Sequence, residues 1–248
     1  MSRPIRLAEL TTEETRTLLE RPRTAALVPV GRVEPHGPHL PLATDTILSE
    51  VACVRALPLL DARAIEAVVA PSVPYGVTDY ASGFAGALSV PRAALIAYLQ
   101  AVAQALLGAG FQRVALVNNH LEPAHDAAVR EAAGAFPGRV VVACPLTKRW
   151  GRTLSDEFKR GNCHAGRYES SLVLAAGARV REDKRVRLAS IATSLSDGIK
   201  AGKATFAEMG LDQAYTGAPA DATKDEGDEL YAKLAEMIAT EVSESFTT

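Results

Sequence analysis

The sequence predicts an α/β fold, with a mostly parallel sheet covered by helices in a single domain over residues 1–248. Three observations carry this. Short apolar runs alternate with amphipathic stretches, the pattern of strands buried on both faces between covering helices. A length of 248 residues suits one large α/β domain more readily than two small ones. Two of the runs also lead straight into clusters of histidine and carboxylate, and the carboxyl edge of an open parallel sheet is where ligands bind.

Thr24 to Val30 (Thr-Ala-Ala-Leu-Val-Pro-Val) is a strand, and Asp45 to Leu57 a helix with apolar residues on one side. Ala67 to Pro71 is a short strand, followed by a Gly/Pro/Ser-rich loop to Ser89. Pro91 suits a first helical turn, and a Leu/Ile/Ala stripe extends that helix to Leu107, with Gly108 and Gly110 closing it. Arg113 to Asn118 is the clearest strand, Ala124 to Ala135 a helix, Arg139 to Cys144 a strand and Ser170 to Ala176 a helix. Ser194 to Ala222, rich in Gly, Ser, Ala and Asp, is mostly loop. Thr223 and Glu226 stand in the spacing of a capping box. Leu230, Leu234, Met237, Ile238 and Val242 then recur at helical spacing, as in a core-covering helix.

Composition narrows the function classes. A hydrophobic content of 48% and a charged content of 23% describe an ordinary globular protein. A net charge of -2 gives no electrostatic reason to expect nucleic acid or an anionic membrane as partner. No segment reads as apolar for long enough to span a bilayer, and Met1 to Arg6 lacks the apolar stretch of a signal peptide. Cys53, Cys144 and Cys163 are odd in number and widely spaced, so no disulfide framework is expected and the cytoplasm is the default. With no Gly-x-Gly-x-x-Gly after a strand and no phosphate-binding loop, a nucleotide cofactor is not expected.

All five histidines fall in three clusters that also hold carboxylates: Glu34, His36, His39 and Asp45; His120, Glu122 and His125; His164 and Glu169. Imidazole and carboxylate together make a ligand set for zinc, manganese or iron. Pro35 disfavours a helical Glu34, so Glu34 and His36 alternate along extended backbone and face one cavity. His120 and Glu122 repeat that spacing after the next long strand. Glu34, Asp45 and Glu122 carry a charge of about -3, which two dications and a bridging hydroxide would bring close to zero. Asp45 could bridge both ions. Taken singly, each residue has a plainer reading: a loop ion pair for Glu34 and His36, a backbone-bonded strand end for His120, an N-cap for Asp45. Those readings leave the clustering of every histidine unexplained. His39 and His125 are assigned no ligand role, and Cys163 reads as a buried thiol without a role.

The stretch Val28 to Asp45 (Val-Pro-Val-Gly-Arg-Val-Glu-Pro-His-Gly-Pro-His-Leu-Pro-Leu-Ala-Thr-Asp) closely resembles the signature of the creatininase (creatinine amidohydrolase) family. His120-Leu121-Glu122 and the stretch from His164-Ala165-Gly166 to Glu169-Ser170-Ser171 resemble its later motifs. Pro74-Tyr75-Gly76, Phe84-Ala85-Gly86 and Thr216-Gly217-Ala218-Pro219 match weaker landmarks in order. The resemblance implies a three-layer α/β/α domain, two divalent metals per subunit and a homo-oligomer, a hexamer in the family. It implies hydrolysis of a non-peptide C–N bond, of cyclic amide or formamide type, in a small-molecule amide substrate through a metal-bridging hydroxide. By position, Glu34, His36, Asp45, His120 and Glu122 would ligate metal, His164 would carry the proton, and Glu169 would support His164 or the metal shell. Some members trim peptide precursors of redox cofactors, so a cofactor-precursor peptidase is an alternative, as is a non-catalytic metal-binding or assembly role. Leu121 stands where creatininase has a tyrosine, Cys163 where the family pattern has an acid and Ala218 where an aspartate is common, so creatinine is not the expected substrate. Trp150, the lone tryptophan, reads as packing rather than as a cover for ligand. A cysteine hydrolase using Cys163 and His164 is disfavoured because adjacent residues of an extended chain point apart.

Overall fold

The computed structural model describes residues 6–247, so most of the amino-terminal stretch read for a signal sequence lies outside the described residues. Four strands form the sheet: β1 (Thr24–Val30), β2 (Glu66–Val69), β3 (Arg113–Asn118) and β4 (Val140–Ala143). Their order is β2-β1-β3-β4 and every pairing is parallel. The helices are α1 (Thr12–Leu19), α2 (Thr44–Asp61), α3 (Arg92–Ala109), α4 (Pro123–Gly134), α5 (Lys148–Gly151) and α6 (Asp156–Arg160). They continue with α7 (Arg167–Ala175), α8 (Glu182–Arg185), α9 (Leu195–Lys200) and α10 (Lys224–Ser245).

Alternation along the strands builds two separate cores. Ala25 and Leu27 of β1, with Ala115 and Val117 of β3, pack against α2, α7 and α10. Val28, Val30, Val114 and Leu116 face the opposite way, onto Leu95, Leu99 and Ala103 of α3 and Val129 and Ala132 of α4. The three-layer α/β/α arrangement follows from that division.

Connectivity creates the site. From β1 the chain crosses through α2 to β2 on one side, then returns through α3 to β3 on the other. The crossovers therefore part above the carboxyl ends of β1 and β3, the position at which open α/β sheets bind ligands. Val30 pairs with Asn118, so both strands end level, and the first two histidine clusters leave the sheet side by side.

The elements differ from the sequence reading mainly at their ends. α2 continues past Leu57 to Asp61, with Pro58 inside its last turns. α7 starts at Arg167 rather than Ser170, which puts Glu169 in its first turn. Only half of the expected capping box forms: Thr223 Oγ1 accepts the Glu226 N–H at 3.2 Å, but the Glu226 carboxylate turns to Arg167 and Ser171. α3 qualifies by length and composition as a membrane span, at 18 residues and mean hydropathy 1.3, contrary to the expectation of no such segment. Its Leu95, Leu99, Ala103 and Leu107 are nevertheless buried in this fold.

Candidate metal centre

Each nominated side chain is delivered by a specific piece of local structure. After β1 the chain passes Gly31, where a Cβ would lie 2.4 Å from Thr46 Cα, so only glycine lets it run this close to the start of α2. It then extends through Glu34 and His36 and returns so that the Glu34 N–H meets Leu42 O at 2.9 Å. Asp45 lies in the first turn of α2, where a helix favours negative charge. Past β3, Asn118 Oδ1 accepts the His120 N–H at 3.0 Å and turns the chain into α4. The first turn of α7 supplies Glu169, and His164 lies just before it.

The structure brings Glu34, His36, Asp45, His120, Glu122, His164 and Glu169 together, all buried. Asp45 divides its carboxylate, with Oδ1 3.2 Å from His36 Nε2 and Oδ2 3.1 Å from His120 Nδ1. Glu34 Oε1 lies 3.3 Å from His120 Nδ1 and 3.9 Å from His36 Nε2 and from His164 Nδ1. Glu169 Oε2 is 3.5 Å from His36 Nε2, and Glu122 Oε2 is 4.0 Å from His120 Nε2. Ligand atoms of His36, Asp45 and Glu169 fall within 4.8 Å of one another, as do those of Glu34, His120 and Glu122, and those of Glu34, His36 and His164. Of the two roles foreseen for Glu169, the geometry places it with His36 and Asp45. Among the described residues no hydrogen bond or ion pair joins it to His164.

Hydrogen bonds select which nitrogen each imidazole offers. His36 Nδ1 donates to Glu34 O at 3.1 Å, leaving Nε2 for the cluster. His120 Nε2 donates to Val77 O at 2.9 Å, leaving Nδ1. His164 Nε2 donates to Pro35 O at 3.1 Å, leaving Nδ1 turned toward Glu34. A backbone carbonyl behind each imidazole is the usual support of a metal-binding histidine.

The electrostatics read as a site short of cations. Burial opposes charge on His36, but Asp45, Glu169 and Glu34 outweigh it and lift its pKa to about 10. Burial likewise opposes charge on His120, which Glu34 and Asp45 push well above the usual range. Against their own burial, His120 and His36 hold Glu34 at about 2 and drive Asp45 far below the carboxylate range. Burial raises Glu169 to about 8 despite His36. Two imidazolium ions thus occupy the electrostatic role of cations. His36 Nε2 and Asp45 Oδ2 are nevertheless buried without a hydrogen-bond partner, a donor set that fits divalent metal.

Three contributors escaped the sequence reading. Arg32 is fully buried behind the site, with Nε 3.8 Å from Glu34 Oε2. Its one signal is a cation two residues past an apolar strand. Thr78 Oγ1 donates to Glu34 Oε2, from a segment read only as loop. Phe206 stacks on His164 with centroids 4.6 Å apart. It belongs to a small core of Ala81, Met209, Leu211 and Ala214 that joins residues 80–87 to 191–214. Nothing local in the sequence marks that contact.

The cluster opens into a cavity of about 640 Å³, whose wall includes Leu121, Leu146, Phe158, Cys163, Ile199, Phe206 and Met209. Burial pushes the Cys163 thiol well above its ordinary range, the opposite of an activated nucleophile. Trp150 is not among the lining residues, and its Nε1 donates to Glu241 at 2.6 Å. His39 and His125 lie beside the cluster: His39 Nε2 hydrogen-bonds Ser170 Oγ at 2.9 Å, and His125 packs edge-on against His120.

The family model described as creatinine amidohydrolase matches residues 8–242. The chain belongs to the creatininase family. A mycofactocin precursor peptide peptidase of Mycolicibacterium smegmatis is 30% identical over 220 residues, covering 87% of this chain and 83% of that protein. A creatinine amidohydrolase of Pseudomonas putida is 31% identical over 127 residues, 49% of this chain and 47% of that protein. A solved structure of creatininase with Mn superposes with a TM-score of 0.74 at 20% identity, covering 99% of this chain and 100% of that one, a likeness of fold.

Proposed function

We propose that this chain is a metal-dependent amidohydrolase that holds two divalent cations side by side and hydrolyses an amide-type C–N bond. The observation that carries this reading is the division of Asp45, one oxygen beside His36 Nε2 and the other beside His120 Nδ1. His120, Glu34 and Asp45, with Glu122 adjoining, would hold one ion, and His36, Asp45 and Glu169 the other. Two ions of zinc, manganese or iron would supply Lewis acidity and water ionisable near neutral pH.

The chain's own residues supply the proton path. Burial and the neighbouring His36 charge lower His164 to about 4, so its imidazole is neutral at pH 7. With Nε2–H committed to Pro35 O, the lone pair on Nδ1 faces the cluster. His164 therefore accepts a proton from the attacking water first and delivers it to the leaving nitrogen second. The Phe206 ring holds the imidazole plane.

A cyclic amide or formamide of a small molecule is the first substrate class. A peptide amide is the second, and a cavity of about 640 Å³ has room for either. The peptidase relative, aligned over 87% of the chain, supports the peptide class. We extend the proposal to the homo-oligomer implied by the resemblance, read by sedimentation.

The test is metal content together with turnover. The purified chain should carry close to two transition-metal ions per subunit and hydrolyse at least one member of a panel of cyclic amides, formamides and short peptides. Strong chelator should abolish that activity. Activity unchanged in chelator with no bound metal would overturn the reading, and two bound ions with no turnover across the panel would favour a non-catalytic role.

A further inference from the structure

One five-residue strip supports one whole side of the site. Residues 76–80 belong to no helix or strand, yet every one of them meets a group of the centre or of its backing. Gly76 O accepts from buried Arg32, which stands behind Glu34. Val77 O accepts from His120 Nε2 at 2.9 Å, the bond that leaves His120 Nδ1 for metal. Thr78 Oγ1 donates to Glu34 Oε2, leaving Oε1 toward the cluster. The N–H groups of Asp79 and Tyr80 reach Glu122 at 3.0 and 3.4 Å. The strip therefore touches Glu34, His120 and Glu122 and leaves His36, Asp45 and Glu169 alone.

What holds the strip is a residue that the mechanism does not use. His125, fully buried on α4, accepts the Val77 N–H on Nδ1 at 3.3 Å. Its ring stands edge-on to His120 with centroids 4.7 Å apart and planes at 80°. Gly76 also lies against the ring, where a Cβ would come within 2.3 Å of Nδ1. Val77 is thus pinned on both sides of its Cα, its N–H by His125 and its C=O by His120. His125 Nε2 has no partner, so the accepting Nδ1 is its polar contact with the protein.

We infer that His125 is a positioning residue that, through the 76–80 strip, sets the affinity of the ion held by Glu34, His120 and Glu122 but not that of the ion held by His36 and Glu169. The inference rests on the two-ion reading above. It distinguishes two ions that share Asp45, and it explains why a histidine without a ligand role is buried beside one that has it. The pin also requires the acceptor in one place. Asn at this position puts its side-chain oxygen about where Nδ1 stands, whereas Gln carries the oxygen one bond further, about where Nε2 stands. Leu fills the space without accepting at all.

The experiment titrates the metal-stripped protein with Zn²⁺ against a chromophoric chelator, with elemental analysis of the dialysed protein. Wild type comes first: binding of no ion there would refute the two-ion reading itself and is thereby told apart from failure of this inference. Given two ions in wild type, His125→Leu and His125→Gln should bind one ion normally and the other at least tenfold more weakly, within the 10–100-fold range seen when groups behind metal ligands are removed. His125→Asn should restore the second ion to within about threefold, despite filling less space. Should Leu prevent folding, the Asn and Gln pair, matched in polarity, decides the question. The inference is overturned if Gln binds both ions as wild type does, if Asn is as weak as Gln, or if both ions weaken equally.

Discussion

Asp45 presents one oxygen to each of two imidazoles, so one side chain should govern both ions. Asp45→Asn removes the charge and turns one oxygen into an amide NH₂. Occupancy is expected to fall at both sites, to below one ion per subunit by elemental analysis; loss of a single ion would show that Asp45 does not bridge. His164 differs because its Nδ1 faces Glu34 from 3.9 Å and its ring packs on Phe206, in the wall of the cavity. His164→Ala should keep close to both ions and lose turnover by about 10²–10⁴-fold, the range for a general acid–base group. Loss of metal along with activity would make His164 a ligand and require another proton carrier.

At the scale of elements, the site depends on how tightly α10 holds α7. Gly227 of α10 crosses α7 so closely that a Cβ would lie 1.9 Å from Ser171 O and 2.7 Å from Ala175 Cβ. Gly227→Ala must push the helices apart, and overpacking of this kind costs about 1–3 kcal/mol. For a chain of this size that lowers the melting temperature by roughly 2–4 °C per kcal/mol. Because α7 carries Glu169 in its first turn, the same change should weaken the ion beside His36. Melting curves with and without Zn²⁺ check both effects; a variant that melts with wild type would refute the tight crossing. Gly31 makes the corresponding close approach between the end of β1 and α2.

For the whole molecule, metal and protons compete for one place. Without metal, the carboxylates hold His36 protonated up to a pKa of about 10, against an ordinary value of 6.5, and raise His120 in the same direction. The sign follows from a folded-state pKa above the unfolded one. These pairs stabilise the metal-free fold fully below pH 6.5, and the contribution is lost as pH rises through about 10. Metal binding must expel the same protons, so apparent affinity should rise with pH between these limits, by up to about tenfold per pH unit for each proton displaced. Calorimetry in buffers of different ionisation enthalpy should show between two and three protons released at pH 7, because His36, His120 and Glu169 all carry one there without metal. Affinity independent of pH from 6 to 9 would refute the charge pattern. Bound ions should in turn raise the melting temperature, by about 2.7 kcal/mol of added stability per ion at a hundredfold excess over its dissociation constant.

The sequence by itself was sufficient where the physics is local. Apolar runs bounded by turn residues located β1 and β3 to the residue, because strands buried on both faces tolerate few polar side chains. The scarcity of histidine and its company of carboxylates marked the seven residues that the fold gathers, since few other arrangements justify burying so many titratable groups. Tertiary structure decided the rest. Which nitrogen each imidazole offers depends on carbonyls such as Val77 O for His120, 43 residues away in sequence, and Pro35 O for His164, 129 away. The side on which Glu169 falls depends on α7 beginning three residues earlier than its composition announced. Arg32, Thr78, His125 and Phe206 took their places only when separate segments packed together. Periodicity reports how a segment meets water, but a hydrogen bond or ring contact between distant segments leaves no trace in either one alone.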